Sequence, residues 1–151
     1  MRRMMLLAMT ALAGGCADTG PTPAEIDAAI GARQAMMAEM QAAMVSLGTQ
    51  ITSGQPEMLV VGAQARMLRD QARARTALFP AGSGPVSGRT TLVNDQVWAD
   101  PAGFSRHAAA LDKAASALAQ FSEGGDPSRL MQHAMAVDAT CVACHKADRT
   151  E

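Results

Sequence analysis

The strongest constraint on the fold is the spacing of apolar residues between residues 24 and 52. One face of this segment repeats at intervals that alternate between four and three, and the positions are Ile26, Ile30, Arg33, Met37, Met40, Met44, Leu47 and Ile51. Such intervals place side chains on one face of an α-helix. Thr22 before Pro23, with Glu25 three residues later, resembles a capping box with proline in the first turn. The segment is therefore predicted as one long amphipathic helix that ends at "SGQP".

Three further segments show the same spacing and predict helices from about 56 to 78, from about 101 after a capping Asp100, and from about 127. Their inward positions are Met58, Val61, Ala65, Leu68, Ala72 and Phe79, then Phe104, Ala108, Leu111, Ala115 and Leu118, then Leu130, Ala134, Val137, Cys141 and Cys144. The composition also favours helix, because tyrosine is absent and β-branched residues are sparse. The predicted fold is all-α, an antiparallel four-helix bundle.

The connection between the second and third helices, residues 80–100, is long for a compact bundle. Its glycines and prolines exclude regular structure over most of its length. Val93, Val97 and Trp98 indicate that the second half packs on the rest of the protein. Two interpretations of Trp98 stay open, a buried anchor for the loop or a wall against a cofactor.

The N-terminal stretch "MRRMMLLAMTALAGGC" has two arginines, a short apolar run and small residues, which together indicate an export signal. We expect residues 1–15 to be a signal peptide, 16–23 a flexible lead and 24–151 the folded domain. The ending "LAGGC" resembles a lipoprotein box, in which Cys16 would carry a lipid that anchors the protein to a membrane; cleavage after Ala17 is the alternative. The expected location is therefore the periplasm.

The stretch "CVACH" near the C-terminus is the motif that carries chemistry, because Cys141 and Cys144 stand directly before His145. Two thiols three residues apart can add to the two vinyl groups of a haem, and the histidine that follows can ligate the iron. On a helix the two cysteines share a face and His145 lies one position further round. The motif therefore predicts one covalently bound haem c.

Other uses of the motif fit less well. A thiol-exchange site needs its cysteine pair at a helix N-terminus within a βαβ pattern, whereas this pair lies near a helix C-terminus in a chain with no predicted strands. A zinc site of Cys141, Cys144, His145 and perhaps His133 has suitable ligand types, but adjacent Cys144 and His145 do not easily point at one tetrahedral ion. Chance and a disulfide are the remaining alternatives.

The opposite axial ligand of the iron would be a histidine, a methionine or no residue. His107 and His133 fit boundary positions better than ligand positions. Met37 lies one helical turn after Arg33, and an arginine on an apolar face is costly to bury without an anion. A haem propionate would supply that anion and would bring Met37 near the iron; in the alternative, Arg33 extends to solvent at the bundle end.

At this point the chain resembles the class II c-type cytochromes, the cytochrome c prime family, over nearly all of the mature sequence. The similarity lies in "ARQAMM", "GTQITSGQP", "LFPAGSG", "VWADPAGF" and "CVACHKADR", with the cysteine motif in the last helix as in that family. The resemblance implies thioether links at Cys141 and Cys144, His145 as proximal ligand, Met37 at the sixth-ligand position of the low-spin branch and Arg33 near the propionates. It also places Arg149 at the family's arginine after the motif, whereas Asp148 stands where the family usually has an aromatic residue.

Two functions follow. In the first, the iron is low-spin with His145 and Met37 as ligands, and the protein is a periplasmic one-electron carrier; this was the favoured prediction. In the alternative, the iron is five-coordinate and high-spin and binds nitric oxide or carbon monoxide. Neither makes the protein an enzyme, and no Ser/His/Asp set, carboxylate pair or phosphate loop is visible.

The expected partners are redox proteins. Arg66, Arg69 and Arg73 recur at helical spacing and form either a docking patch for an acidic partner or a solvated face relieved by Asp70. The resemblance implies a homodimer as a further candidate assembly. The formal net charge of -1 without a block of like charges gives no indication of nucleic-acid binding.

Overall fold

The computed structural model describes residues 20–85 and 88–150, and in this part of the chain the regular structure is helical. The elements are α1 (Pro23–Thr52), α2 (Met58–Ala74), the one-turn α3 (Gln96–Ala99), α4 (Pro101–Glu123) and α5 (Leu130–Asp148), with 3-10 turns at Arg75–Leu78 and Pro127–Arg129. The four long helices form the expected four-helix bundle, and α3 is an extra turn in the long connection. None of the described helices is both long and apolar enough to cross a membrane. The proposed signal peptide and Cys16 lie outside the described residues.

The helix ends follow the capping residues. The Thr22 side chain accepts a hydrogen bond from the Glu25 N–H, and the Glu25 carboxylate accepts one from the Thr22 N–H, so the predicted capping box is confirmed. Asp100 caps α4 by accepting from the Gly103 N–H. The second helix is shorter than predicted at both ends, because Glu57 is its extended N-cap and its last turn tightens to 3-10 from Arg75. The fourth predicted helix likewise starts with a 3-10 turn at Pro127 before α5 begins.

The core lies where α2, α4 and α5 pack together with the C-terminal half of α1. The fully buried large side chains of the helices are Leu47, Leu68, Leu118, Val61 and Val137. The helices α2 and α4 lie close together at Gly62, where an added Cβ would lie 2.5 Å from the Ser122 hydroxyl oxygen. A glycine at this position therefore lets α2 and α4 approach closely.

The long connection packs against the bundle, as its apolar residues predicted. Val97 is buried, and Val93 forms an isolated antiparallel bridge with Arg149 just after α5. The Asn94 N–H donates to the Asp148 carbonyl over 3.1 Å, and the Thr150 N–H donates to the Leu92 carbonyl over 2.8 Å. These backbone bonds fasten the end of α5 to the loop.

Candidate functional site

A cavity of about 530 Å³ lies between α1 and α5, and it is closed at one end by residues of α2, α4 and the long connection. Its volume falls within the range of about 300–1,000 Å³ that is usual for small-molecule and cofactor sites. Apolar side chains dominate its wall, and the charged groups that reach it are few. Both halves of the predicted site line this cavity, Arg33 and Met37 from α1 and the cysteine motif from α5.

Cys141 and Cys144 lie on the cavity side of α5, half-buried and without a disulfide between them. Burial raises the pKa of both thiols, and for Cys144 the nearby Asp148 carboxylate adds to burial and raises the pKa to about 12. Both sulfurs are therefore neutral thiols at neutral pH.

His145 also lines the cavity and is an exposed residue of α5. Partial burial lowers the pKa of the imidazole below its ordinary value, and the positive charge of Arg149 lowers it further. The neutral imidazole, which is the form that binds metals, is therefore favoured at neutral pH. The thiols and the imidazole thus meet at one end of the cavity, as the motif predicted.

The wall formed by α1 consists largely of thioethers. Met37, Met40 and Met44 are half-buried and line the cavity together with Met36, which is 3% exposed. On the predicted apolar face of α1, the buried residues are Ile30, Arg33 and Leu47. In the middle of the helix the buried residues are instead Met36 and Ala43, each one residue before a predicted position. Met37 is therefore among the side chains that a ligand in the cavity would meet.

Arg33 is buried on α1 at 3% exposure, so the alternative of a solvent-exposed guanidinium is wrong. Its nitrogens donate to the Leu78 carbonyl (3.2 Å), the Ser83 hydroxyl (3.1 Å), the Ser83 carbonyl (2.9 Å) and the Thr91 hydroxyl (2.9 Å). All four acceptors are neutral, and among the described residues no acidic side chain forms an ion pair with it. Burial accordingly lowers the pKa of Arg33. Its hydrogen bonds are satisfied while its charge is not balanced.

Arg75 is a second buried cation that the sequence reasoning missed. It is 6% exposed, donates to the Phe104 carbonyl over 3.3 Å and lies 4.8 Å from the Phe104 ring centroid. Arg33 lies 4.9 Å from the Phe79 ring centroid, and the two rings meet edge to face with centroids 4.7 Å apart. Both guanidinium groups are thus held against an aromatic pair in the cavity wall, an arrangement that favours a cation.

Asp148 is the buried carboxylate of the cavity wall, at 8% exposure. Its Oδ2 lies 2.6 Å from the His107 Nδ1 and 3.5 Å from the Cys144 Sγ, which donates to it. In the sequence, this residue stood out because an aspartate replaces the aromatic residue that the family usually has at this position. The pairing with His107, 41 residues earlier, was missed because α4 and α5 come together only in the folded protein.

Trp98 is not among the described residues that line the cavity. Its indole N–H donates to the Phe79 carbonyl over 3.2 Å, and its ring packs so closely on Gly84 that a Cβ there would lie 2.8 Å from it. These contacts favour the interpretation of Trp98 as an anchor of the loop. Through Phe79 it supports the wall without forming it.

The residues present fit a haem. Leu92 and Val142 line the cavity and are 50% and 59% exposed, which is the exposure expected of apolar side chains that a cofactor would cover. Two buried guanidinium groups against one buried carboxylate leave an excess of positive charge in the wall, which suits the two propionates of a haem. Two neutral thiols and a neutral imidazole supply the covalent and axial bonds.

Solved structures of known proteins resemble this fold closely. Cytochrome c' from Thermochromatium tepidum has a TM-score of 0.76 and 25% identity, covering 83% of this chain and 97% of that one. A cytochrome c' with an unusual ligand-controlled dimer dissociation has a TM-score of 0.77 and 23% identity, with the same coverage of 83% and 97%. The nitric oxide complex of a mutant cytochrome c prime from Alcaligenes xylosoxidans has a TM-score of 0.72 and 21% identity, again covering 83% and 97%.

At the level of sequence, no curated protein is a significant match. The family profile described as cytochrome C' matches residues 28–149, which include α1, the long connection and the cysteine motif. Members of that family carry a single covalently attached haem c. The chain belongs to the cytochrome c' family.

Proposed function

We propose that the protein binds nitric oxide or carbon monoxide at a five-coordinate haem iron. The observation that carries this proposal is the family match over residues 28–149, together with the nitric oxide complex among the similar structures. Proteins of this family are haem carriers and gas-binding proteins rather than typical enzymes. Gas binding thus replaces the low-spin electron carrier as the favoured function. The reason is that the matched family, cytochrome c', fits the gas-binding alternative better than the low-spin carrier.

The residues that line the cavity have distinct roles in this proposal. Cys141 and Cys144 hold the haem covalently, and His145 binds the iron through a neutral imidazole. Arg33 offers its unbalanced positive charge to a propionate. When bound, the haem supplies an iron that can take up a diatomic gas or exchange one electron.

The wall of α1 would offer only weak ligands to the iron of a bound haem. The methionines of α1 that line the cavity are Met36, Met37, Met40 and Met44, and no histidine of α1 is among its lining residues. A methionine is flexible and adaptable, so it can give way to a small ligand and exclude water at the same time. An apolar wall of this kind favours an uncharged diatomic gas over an anion.

Carbon monoxide binding to the reduced protein tests the proposal. We expect saturable binding that changes less than about threefold in affinity when Met37 is replaced by leucine, which keeps the volume and removes the sulfur. A matched Met44→Leu variant controls for a general loosening of the wall. A gain of tenfold or more in affinity for Met37→Leu alone would show that the sulfur occupies the iron and would overturn the proposal.

The electron carrier with His145 and Met37 as ligands is the second candidate. It is favoured by the placement of Met37, whose half-buried side chain lines the cavity opposite the motif of α5. Its diagnostic property is a low-spin ferric spectrum with a methionine-to-iron charge-transfer band. Arg69 and Arg73 form surface ion pairs with Asp70 and Asp112, each over 2.9 Å, so they favour the solvated face over a docking patch for an acidic redox partner.

A homodimer is the proposed assembly. Val45 on α1 and Leu59 on α2 are 61% and 88% exposed on the hairpin that the first two helices form. One of the similar structures is a cytochrome c' with ligand-controlled dimer dissociation. Sedimentation equilibrium is expected to show a dimer that Leu59→Asp dissociates; a monomeric wild-type protein would exclude it.

Cytochromes c' are typically periplasmic. We propose the same location for this chain, with cleavage of the signal peptide between residues 15 and 16 and a lipid on Cys16. Mass spectrometry of the protein from the membrane fraction tests this, since a lipidated N-terminal cysteine adds a defined mass that Cys16→Ser removes.

A further inference from the structure

Two buried charges of opposite sign face the cavity beside Cys144, and neither is required by the motif. Arg75 follows α2 in its 3-10 turn, and Asp148 ends α5. They are 6% and 8% exposed, and both line the cavity. Among the described residues no acidic side chain forms an ion pair with Arg75, whereas Asp148 is bonded to His107 and Cys144. The two charges therefore act on the cavity without cancelling in a direct pair.

The position of Arg75 is fixed by ring packing and a hydrogen bond rather than by an ion pair. Its guanidinium packs on the Phe104 ring and donates to the Phe104 carbonyl. Burial lowers the pKa of Arg75, and the negative charge of the Asp148 carboxylate partly opposes that shift. Arg75, Cys144 and Asp148 all line the same cavity. Arginine nevertheless stays protonated in proteins at neutral pH, so Arg75 is a permanent charge.

The position of Asp148 is fixed mainly by its backbone. Its carbonyl accepts from the Asn94 N–H over 3.1 Å, and the Asn94 side chain donates to the neighbouring Ala147 carbonyl over 2.8 Å. The bridge between Val93 and Arg149 continues this attachment. A change of the carboxylate to an amide thus removes a charge while the end of α5 stays fastened to the loop.

We propose that Arg75 and Asp148 are positioning charges that set the reduction potential of the bound haem in opposite directions, Arg75 raising it and Asp148 lowering it. This inference rests on haem binding at this cavity and holds for either function, gas binding or electron transfer. Neither residue touches the iron, and each acts through its field.

The physical reason is the low dielectric of the cavity wall. Reduction adds one electron to the haem, so a fixed positive charge stabilises the reduced state and a fixed negative charge destabilises it. Such interactions are several times stronger between buried groups than between exposed ones, where water and salt screen them. Burial and nearby charge are established means by which proteins tune a haem potential.

The test is spectroelectrochemical titration of the purified holoprotein and four variants at one pH and ionic strength. Arg75→Met keeps the length of the side chain and removes the charge, while Arg75→Lys keeps the charge. Asp148→Asn is nearly isosteric. Arg73→Gln is the matched control, because Arg73 lies two residues before Arg75 but is exposed and paired with Asp112.

At the midpoint potential of the wild-type protein, Arg75→Met should lower the ratio of reduced to oxidised haem by roughly three- to tenfold, and Asp148→Asn should raise it by a similar factor. Arg75→Lys should restore most of the ratio, and Arg73→Gln should leave it unchanged. A merely structural role would instead shift both neutral variants in the same direction, or shift Arg75→Lys as much as Arg75→Met.

Shifts of equal sign, or no shift in either neutral variant, would overturn the inference. If Arg75→Met fails to fold, the other two variants still test the inference. Asp148→Asn must raise the reduction potential, and Arg75→Lys must leave it near the wild-type value. Covalent haem content, measured on the same samples, keeps this result separate from the proposed function. A wild-type protein without covalent haem would defeat the proposed function, whereas loaded variants with unmoved potentials would defeat only the inference.

Discussion

Arg33 shows how one side chain links the cavity to the loop that closes it. It lies on α1, yet its four hydrogen bonds go to Leu78 at the end of the 3-10 turn after α2 and to Ser83 and Thr91 in the long connection. The guanidinium therefore holds the loop in place and contributes positive charge to the cavity. A buried cation with satisfied hydrogen bonds and no counter-charge is typical of a site made for an anionic ligand.

Replacing Arg33 by methionine is expected to destabilise the protein by about 2–4 kcal/mol, because acceptors in the loop lose a charged donor in a buried setting. Urea unfolding of the holoprotein, followed by helical circular dichroism, measures the change. Gln34→Ala is the matched control, since Gln34 is exposed and makes a single bond to the Thr90 carbonyl. A loss below about 0.5 kcal/mol for Arg33→Met would contradict the anchoring role of the guanidinium.

The site residues that could be predicted from the sequence are those that form a recognisable local pattern. Cys141, Cys144 and His145 are neighbours in sequence, and Arg33 stands out on an apolar face. Arg75 could not be found in this way, and Asp148 was marked only as a departure from the family's usual aromatic residue, because their significance depends on burial and on which side chains approach them from other helices. The sequence predicts that Trp98 is packed. Only the structure shows that it packs on Gly84 and does not line the cavity.

Gly62 controls how closely α2 approaches α4. A methyl group at this position would meet the Ser122 hydroxyl, which is itself held by donating to the Ala119 carbonyl over 2.6 Å. Gly62→Ala is therefore expected to destabilise the protein by about 1–3 kcal/mol despite the better helix propensity of alanine.

Ser122→Ala should recover part of that loss in the double variant, since it removes the hydroxyl that the new methyl group meets. Thermal unfolding of the two single variants and the double variant gives the coupling energy. Additive effects of the two substitutions would mean that the contact does not limit the approach of the helices.

The capping box at the start of α1 is expected to contribute to stability in a pH-dependent way. Hydrogen bonds from Thr22 lower the pKa of Glu25 below its ordinary value of 4.5. Thr22→Ala should cost about 1 kcal/mol at neutral pH, the usual cost of losing a threonine N-cap.

A carboxylate with a lowered pKa stabilises the fold above its unfolded pKa, and this contribution is lost as the pH falls through the folded pKa. The difference in stability between wild type and Thr22→Ala should therefore narrow below about pH 4.5. Unfolding curves between pH 7 and pH 3 measure it. A difference that widens toward acid would contradict the assignment of the Glu25 hydrogen bonds.

The helices as elements were largely predictable, because each carries its own apolar spacing and, for α1 and α4, its own cap. The departures are at ends where tertiary contacts override the local pattern. The end of the second predicted helix tightens to a 3-10 turn where Arg33 bonds to the Leu78 carbonyl and Arg75 packs on Phe104. The shift of burial by one residue in the middle of α1, to Met36 and Ala43, is likewise a tertiary effect that the spacing of one helix does not encode.

In the whole molecule, the cavity lies between α1 and α5, while α1 packs on α2, α2 on α4 and α4 on α5. The bundle could be predicted from four amphipathic segments and their connections. The cavity could not, because it is the space left when the thioether wall of α1 faces the cysteine motif of α5. The haem would complete this interface and cover the exposed Leu92 and Val142.

The spin state of the ferric protein tests the central claim most directly, because it reports whether a side chain occupies the sixth position of the iron. The measurement is the optical absorption spectrum of the purified oxidised holoprotein at neutral pH. We expect a high-spin spectrum without a methionine-to-iron charge-transfer band, which indicates a five-coordinate iron bound by His145. A low-spin spectrum with that band, lost in Met37→Leu, would contradict the proposed gas-binding site and establish the His145 and Met37 electron carrier in its place.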